Sequence, residues 1–190
     1  GYSYHQDLSD DFKASIWGTR IKDIFARIKE ELGLEESLDE ILARRDEYFH
    51  ALVREKLAFM PGASASLAYF QNRESLLGLG TSATRAYRDL VLWKLGLEKT
   101  FDVMVTGDDV SHGKPNPETY QRVCDYLGVD PSMVVVLEDA TNGVKAAKGA
   151  GCYCIGVKNP HTPHQDLSQA DIILDSLAEI NDEIIERLTA

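Results

Sequence analysis

The sequence predicts an α/β fold: a three-layer core with a parallel sheet between helices, accompanied by a small helical unit. Three observations indicate this. Short apolar runs, such as residues 134–137 and 152–157, are typical of strands buried on both faces. From residue 76 onward these runs alternate with amphipathic helices, as in Rossmann-like cores. Residues before 76 show helical periodicity only.

The ends of the first helices are marked by capping residues. Ser9 is a plausible N-cap for a helix over residues 8–17, and Gly33 follows a run with helical spacing of its apolar residues. A third helix is expected after Ser37 and a fourth over residues 63–70, separated by Pro61 and Gly62.

Composition excludes several classes of partner. The 190 residues carry a net charge of -11, and nucleic-acid surfaces need clustered Lys and Arg, so we expect no nucleic-acid binding. With 44% hydrophobic and 27% charged residues the chain resembles an ordinary globular protein. No run of about 18 apolar residues occurs, so we expect no transmembrane helix and no membrane partner.

The cysteines indicate a reducing compartment. Three are present, and neither their odd count nor their spacing suggests a disulfide framework, so we expect a cytoplasmic protein. Cys152 and Cys154 lie in an apolar run at alternating positions. Buried small hydrophobic side chains are therefore a better interpretation than half of a metal site.

Two adjacent carboxylates stand where a buried strand ends. Glu138 and Asp139 follow the apolar run 134–137 and precede a predicted helix. Ligands bind beyond the carboxyl ends of parallel strands, and Mg²⁺ typically takes one or two protein carboxylates. Taken alone, simple capping of the next helix is the better explanation of an aspartate at this position.

Lys114 occupies a rigid loop, Gly-Lys-Pro-Asn-Pro, before a predicted helix. A positioned ammonium group offsets negative charge on a transferring phosphoryl group. An ordinary exposed lysine at a helix start is the alternative. Because the prolines make the loop rigid, the functional interpretation and this alternative are about equally supported.

Thr81 and Ser82 follow the apolar run 76–80 and open a predicted helix. A hydroxyl and backbone N–H groups there are suited to binding a phosphate oxygen, although an ordinary N-cap is compatible with the same residues. Residues 78–83 also match G-x-G-x-x-A. A dinucleotide site is the weaker interpretation, because both glycines fall within the apolar run and no acid is clearly placed about 20 residues on.

The order of these motifs resembles the haloacid dehalogenase superfamily, in its phosphoglucomutase- and phosphatase-like branch. The resemblance implies an Mg²⁺-dependent phosphatase or phosphomutase acting on a small phosphorylated metabolite. It gives Thr81 and Ser82 phosphate binding, Lys114 charge stabilisation, and Glu138 and Asp139 the metal. It also implies that residues 1–60 form part of a helical cap and residues 61–190 an α/β core lacking its first strand.

The resemblance also defines what the sequence lacks. The family's first strand ends in Asp-x-Asp and supplies the nucleophile, and no Asp-x-Asp occurs in these residues. A sheet without that strand would leave two inner edges unpaired. We expect an upstream segment or a second chain to complete the sheet, and this chain alone to be inactive. A non-catalytic fragment or phosphate-binding module is the alternative.

Three further features have weaker interpretations. Arg20 and Lys22 lie in the expected cap, where the resemblance implies substrate contact, although a solvated helix start explains them at least as well. His161 and His164 are expected in a surface loop rather than at a metal. Trp93 is expected in the core.

Overall fold

Helices alone form the first part of the chain in the computed structural model, which describes residues 8–162 and 164–189. They are α1 (Asp10–Ile16), α2 (Ile21–Leu32), α3 (Leu38–Lys56) and α4 (Ala63–Gln71). The Ser9 hydroxyl accepts a hydrogen bond from the Phe12 N–H, and Ser37 forms a capping box with Glu40. Gly33 ends α2 in the left-handed conformation, with φ of 59°. The predicted caps are therefore confirmed.

Strands and helices alternate in the rest of the chain, as predicted. The strands are β1 (Gly78–Gly80), β2 (Val103–Val105), β3 (Val135–Glu138), β4 (Tyr153–Val157) and β5 (Ile172–Leu174). The helices are α5 (Arg85–Leu95), α6 (Glu118–Leu127), α7 (Thr141–Gly149) and α8 (Asp182–Thr189). Every apolar run interpreted as a strand contains one, which confirms the α/β class.

The strands form two parallel sheets rather than one. β1 pairs with β2, with Leu79 opposite Met104, and the second sheet has the order β3-β4-β5. Within the described residues β1 pairs with no strand but β2, and β3 with none but β4. The sheet is thus divided between β1 and β3, the two edges that the sequence predicted to be unpaired.

Helix α6 packs closely against β1, and the two glycines of that strand permit the approach. A Cβ atom on Gly78 would lie 2.5 Å from Val123 Cγ1, and one on Gly80 would lie 3.0 Å from Tyr120 Cε1. The glycines lie inside the strand, and their lack of side chains lets α6 pack directly on its face. They do not form the turn that a dinucleotide fingerprint requires.

The expectation that Trp93 belongs to the core is wrong. Its side chain is 63% exposed, whereas the preceding residue, Leu92, is buried. Neighbouring helical positions point about 100° apart, so α5 buries one face and turns Trp93 to solvent. Across the described ranges we find no helix with the length and apolarity needed to cross a membrane.

Candidate active site

The predicted site residues lie at the carboxyl ends of β1 and β3 and in the loop before α6. Thr81 directly follows β1, Glu138 is the last residue of β3, and Asp139 comes next. Parallel strands bring their carboxyl ends to the same edge of a sheet, so polar residues at these ends converge. The loop carrying Lys114 reaches this edge from between β2 and α6.

Lys114 joins the two sheets. Its Nζ donates a hydrogen bond to the Gly80 carbonyl oxygen of β1, at 3.2 Å, and also bonds Glu138 Oε1 at the end of β3. The Lys114 side chain is 6% exposed and that of Glu138 9% exposed. The structure therefore brings Lys114 and Glu138 together as a buried ion pair at the divide between β1 and β3.

Tyr120 completes this cluster and was not identified from the sequence as a site residue. Its hydroxyl accepts a hydrogen bond from Lys114 Nζ at 2.7 Å and donates one to Glu138 Oε1. Burial, followed by the Glu138 charge, raises the Tyr120 pKa well above its usual value, which keeps the hydroxyl protonated. Tyr120 lies three positions after Pro117, the N-cap of α6, so a tyrosine one turn into that helix was the available signal.

The two adjacent carboxylates have different surroundings. Glu138 Oε1 accepts from Lys114 and Tyr120, and Oε2 accepts from the backbone N–H of Asp139 at 3.2 Å. Asp139 Oδ2 instead accepts a hydrogen bond from Asn159 Nδ2 at 2.7 Å. Asn159 lies beyond the end of β4 and was not identified from the sequence.

A divalent cation fits this edge only in part. Among the described residues there is no group of three or more His, Cys, Asp or Glu side chains placed to hold a metal. Mg²⁺ does not require such a group, because one or two carboxylates, water and substrate phosphate complete its shell. Asp139 is half-buried and forms no ion pair within the part of the chain that the structure describes, so it suits that role, whereas Glu138 is engaged with Lys114.

Thr81 and Ser82 are both half-buried where β1 ends. Thr81 Oγ1 accepts a hydrogen bond from the Ala83 N–H at 3.2 Å. Ser82 Oγ donates to the Gly18 carbonyl oxygen at 2.7 Å, so this hydroxyl ties the first helical segment to the core. The expectation that these two residues open a helix is wrong, because α5 begins at Arg85 and the Thr84 side chain caps it. The Thr81 N–H donates to the Val105 carbonyl oxygen at 2.9 Å, so the Thr81 hydroxyl and the Ser82 N–H are the groups that we consider for phosphate.

The turn between α1 and α2 rests on the same edge of the core. Gly18, with φ of 78°, approaches so closely that a Cβ there would lie 2.9 Å from Ala140 Cβ. Asn142 Nδ2 donates to the Trp17 carbonyl oxygen at 2.8 Å. A helical segment is thus seated directly beside the carboxylates of β3.

The two cap residues predicted to meet substrate occupy different environments. Arg20 pairs with Asp23 and donates through Nη1 to the carbonyl oxygens of Val110, at 3.4 Å, and Ser111, at 3.2 Å. It therefore links α2 to the loop that carries Lys114. Lys22 is exposed.

The Lys114 loop is also held from its other side. The Glu118 carboxylate accepts hydrogen bonds from the backbone N–H groups of Ser111 and His112, at 3.0 and 2.8 Å. These bonds, with the nearby Arg122, lower the pKa of Glu118 from 4.5 to about 2. Glu118 therefore fixes the loop three residues before the lysine.

The cysteines are buried thiols, as predicted from the sequence. Cys124 and Cys152 have their Sγ atoms 3.8 Å apart, and all three cysteines are free. Burial raises the pKa values of Cys152 and Cys154 to about 12. They act as small apolar side chains in the core cluster around α7.

A sequence model described as haloacid dehalogenase-like hydrolase matches residues 2–157. The chain is 38% identical over 144 residues to a validoxylamine A 7'-phosphate phosphatase of Streptomyces hygroscopicus subsp. limoneus, covering 76% of this chain and 67% of that protein. It is 37% identical over 149 residues to a phosphorylated carbohydrates phosphatase of Thermotoga maritima, covering 78% and 69%.

Solved structures agree with the sequence relatives. A crystal structure of a CbbY variant from Rhodobacter sphaeroides in complex with xylulose-(1,5)bisphosphate superposes with a TM-score of 0.79 at 29% identity, covering 90% of this chain and 78% of that one. The family match spans most of the sequence, from residue 2 to residue 157. The chain therefore belongs to the haloacid dehalogenase-like hydrolases, as a phosphatase- or phosphomutase-like member.

Proposed function

We propose that this chain forms most of an Mg²⁺-dependent phosphatase or phosphomutase that acts on a small phosphorylated carbohydrate. One observation carries the proposal: Lys114 Nζ bonds both the Gly80 carbonyl, beside Thr81, and Glu138, beside Asp139. A phosphate-binding position and a metal-binding position are thereby held around one ammonium group. The carbohydrate class rests on the two related phosphatases and the sugar bisphosphate bound to CbbY.

Each residue has a separate part in this proposal. Thr81 and the backbone N–H of Ser82 bind oxygens of the phosphoryl group at the end of β1. Lys114 stabilises the negative charge that develops during transfer. Asp139 holds Mg²⁺, with Glu138 beside it orienting Lys114. When bound, the metal ion supplies further neutralisation of the phosphate oxygens.

The division into a cap and a core belongs to the same proposal. Residues 1–60 form the cap and residues 61–190 the core, with Arg20 and Lys22 on the side of the cap that faces substrate. Arg20 supports this placement through its bonds to the Lys114 loop. The reduced, buried cysteines support a cytoplasmic location.

The nucleophile is the remaining part. We infer that a strand ending in Asp-x-Asp pairs between β1 and β3 and comes from upstream of Gly1 or from a second chain. The divided sheet supports this, because each of those strands pairs on one side only within the described ranges. An unpaired strand edge is a ready template for another strand. Residues 1–190 alone should therefore bind phosphate without turnover.

Phosphate release from a panel of phosphorylated carbohydrates tests the proposal, with and without Mg²⁺. We expect no turnover from residues 1–190 alone and Mg²⁺-dependent turnover once an Asp-x-Asp strand is supplied. In that active form Asp139→Asn should abolish activity, because an amide cannot replace the carboxylate charge at the metal. Glu98→Gln, which alters an exposed carboxylate on the chain's surface, is the control.

Three outcomes would contradict the proposal. Turnover by residues 1–190 alone would remove the need for an added strand. Full Mg²⁺-dependent activity of Asp139→Asn would remove Asp139 from the metal site. Phosphate binding without turnover in every form would favour a phosphate-binding module.

A further inference from the structure

Asn159 is held in one orientation at the end of β4. Its Oδ1 accepts a hydrogen bond from the His161 backbone N–H at 2.9 Å, and its Nδ2 donates to Asp139 Oδ2 at 2.7 Å. An amide side chain has one acceptor end and one donor end. Since a backbone donor occupies the oxygen, the nitrogen is the end that faces the carboxylate.

The loop carrying Asn159 is fastened to the first turn of α7. Gln165 Oε1 accepts from the Thr141 N–H at 2.9 Å, and Thr141 Oγ1 accepts from the Asp166 N–H at 2.8 Å. Thr141 lies two residues beyond Asp139. These two bonds therefore keep the loop, and Asn159 with it, in register with the carboxylate.

The surroundings of Asp139 leave room for a hydrated cation. A cavity of about 340 Å³ lies beside it, lined in part by Asp139, Asn159, Thr162 and Gln165. Lys158 also lines this cavity, and its charge is paired with Asp175 at 2.6 Å. Mg²⁺ usually keeps several of its waters when a protein binds it, so open space next to a single carboxylate suits that ion. Glu138, by contrast, is already bonded through both oxygens.

We propose that Asn159 is a positioning residue that orients the Asp139 carboxylate for a divalent cation. Asn159 fixes Oδ2 of Asp139, and Oδ1 is the oxygen that we assign to the metal. A hydrogen bond from a neighbouring group to a ligating carboxylate sets its rotation, and removing such a bond costs about 10–100-fold in metal affinity. This inference rests on the proposed function and deepens its metal site.

Calorimetric titration with Mg²⁺, and with Mn²⁺ as a second probe, tests the inference without any need for turnover. Asn159→Ala should weaken binding of either ion by at least about tenfold. Asn159→Ser should weaken it as much, because a serine hydroxyl can replace Oδ1 in the turn at His161 but is too short to reach Asp139. Thr141→Val is the matched control, because it removes one of the two bonds that fasten the loop and retains the other, from the backbone N–H of residue 141 to Gln165, so we expect the loop and the Asn159 amide to keep their places.

The outcomes separate this inference from the proposed function. Wild-type affinity in Asn159→Ala overturns the inference and leaves the proposed function intact. Wild-type affinity in Asn159→Ser would assign the effect to the loop's conformation, as would a loss of affinity in Thr141→Val equal to that in Asn159→Ala. Either result also overturns the inference. A wild-type protein that binds neither ion overturns the metal part of the proposed function together with this inference.

Discussion

The two sheets of the core differ in how completely they are enclosed. In the β3-β4-β5 sheet, β4 has a neighbour on both sides, and the side chains of Cys154 and Ile155 are 0% exposed. The β1-β2 sheet has only two three-residue strands, and in β1 Gly78 is exposed while Leu79 is half-buried. The sheet that carries Glu138 is therefore the more deeply packed one, and the sheet that precedes Thr81 depends more on contacts outside its own strands.

If the proposed function holds, the Lys114 cluster has a structural role as well as a chemical one. A buried charge is destabilising unless it is paired and hydrogen-bonded, so Lys114, Glu138 and Tyr120 must stay together. The same cluster bonds the Gly80 carbonyl of the less enclosed sheet. The residues assigned to phosphoryl transfer are thus also the polar contact between the two sheets.

Lys114→Met should produce the largest loss of stability. It removes the ammonium and leaves the Glu138 carboxylate buried without its charge partner, which costs about 3–5 kcal/mol of unfolding free energy when one member of a buried pair is removed. Urea denaturation followed by circular dichroism measures the loss. We expect the Thr81 side of the core to loosen first, because its bond to Lys114 is lost as well.

The double variant Lys114→Met/Glu138→Leu is the control for that prediction. It removes both charges, and an apolar replacement of a whole buried pair is often neutral or stabilising. We therefore expect the double variant to be more stable than Lys114→Met alone. Equal losses in the two variants would show that the ion pair does not govern the contact between the sheets.

Gly143→Ala should cause the next largest loss of stability, because its added methyl group on α7 would clash with Glu138 of the same ion pair. A Cβ there would lie 2.1 Å from Glu138 Cδ, and that carboxylate is held by Lys114 and cannot swing away freely. Forcing an extra methyl group into a packed site typically costs about 1–3 kcal/mol. Thermal and urea unfolding measure the change.

Gly149→Ala, at the other end of α7, separates this clash from the general effect of replacing a helical glycine. A Cβ at Gly149 would have only an ordinary contact, 3.4 Å from Pro117 Cβ. Alanine is the better helix former by about 1 kcal/mol, so this variant should be neutral or slightly stabilised. A Gly143→Ala protein as stable as Gly149→Ala would mean that Glu138 moves aside without cost.

Much of the fold followed from local sequence patterns. Ser9, Gly33 and Ser37 mark helix ends through hydrogen bonds and backbone conformations that single residue types favour, so their signals are local. The apolar runs predicted each strand for the same reason. Trp93 was misplaced because its burial depends on which face of α5 meets the core, and helical spacing alone did not define that face.

The candidate site was predictable where a residue follows a strand and, for Lys114, where a rigid loop precedes a helix. Thr81, Glu138 and Asp139 were identified because parallel strands place their last residues at one edge. Tyr120 and Asn159 were missed because their importance comes from partners 18 and 20 residues away, Glu138 and Asp139. Arg20 was identified as a cap residue, but its bonds to the carbonyls 90 and 91 residues on required the structure.

The smallest predicted effect concerns the loop that positions Lys114 on the less enclosed side. Glu118 has a pKa near 2 in the folded protein against a usual 4.5, owing first to the Ser111 and His112 N–H groups. A depressed pKa in the folded state means that the carboxylate stabilises the fold above pH 4.5 and loses this contribution as the pH falls toward 2. The stability difference between wild type and Glu118→Gln should therefore be constant above about pH 5 and shrink through that window.

Urea unfolding of both proteins at several pH values between 2 and 7 measures this difference, with Glu98→Gln as the charge control. Glutamine keeps one acceptor oxygen, so Glu118→Gln retains part of the loop contact and the difference at neutral pH should be modest. A difference that stays constant down to pH 2 would show that the charge of Glu118 does not hold the loop. A decrease between pH 4.5 and 2 would show that the Glu118 charge holds the loop that positions Lys114. A loss of unfolding free energy smaller than that of Lys114→Met would show that the buried Lys114–Glu138 pair contributes more to stability than the loop does.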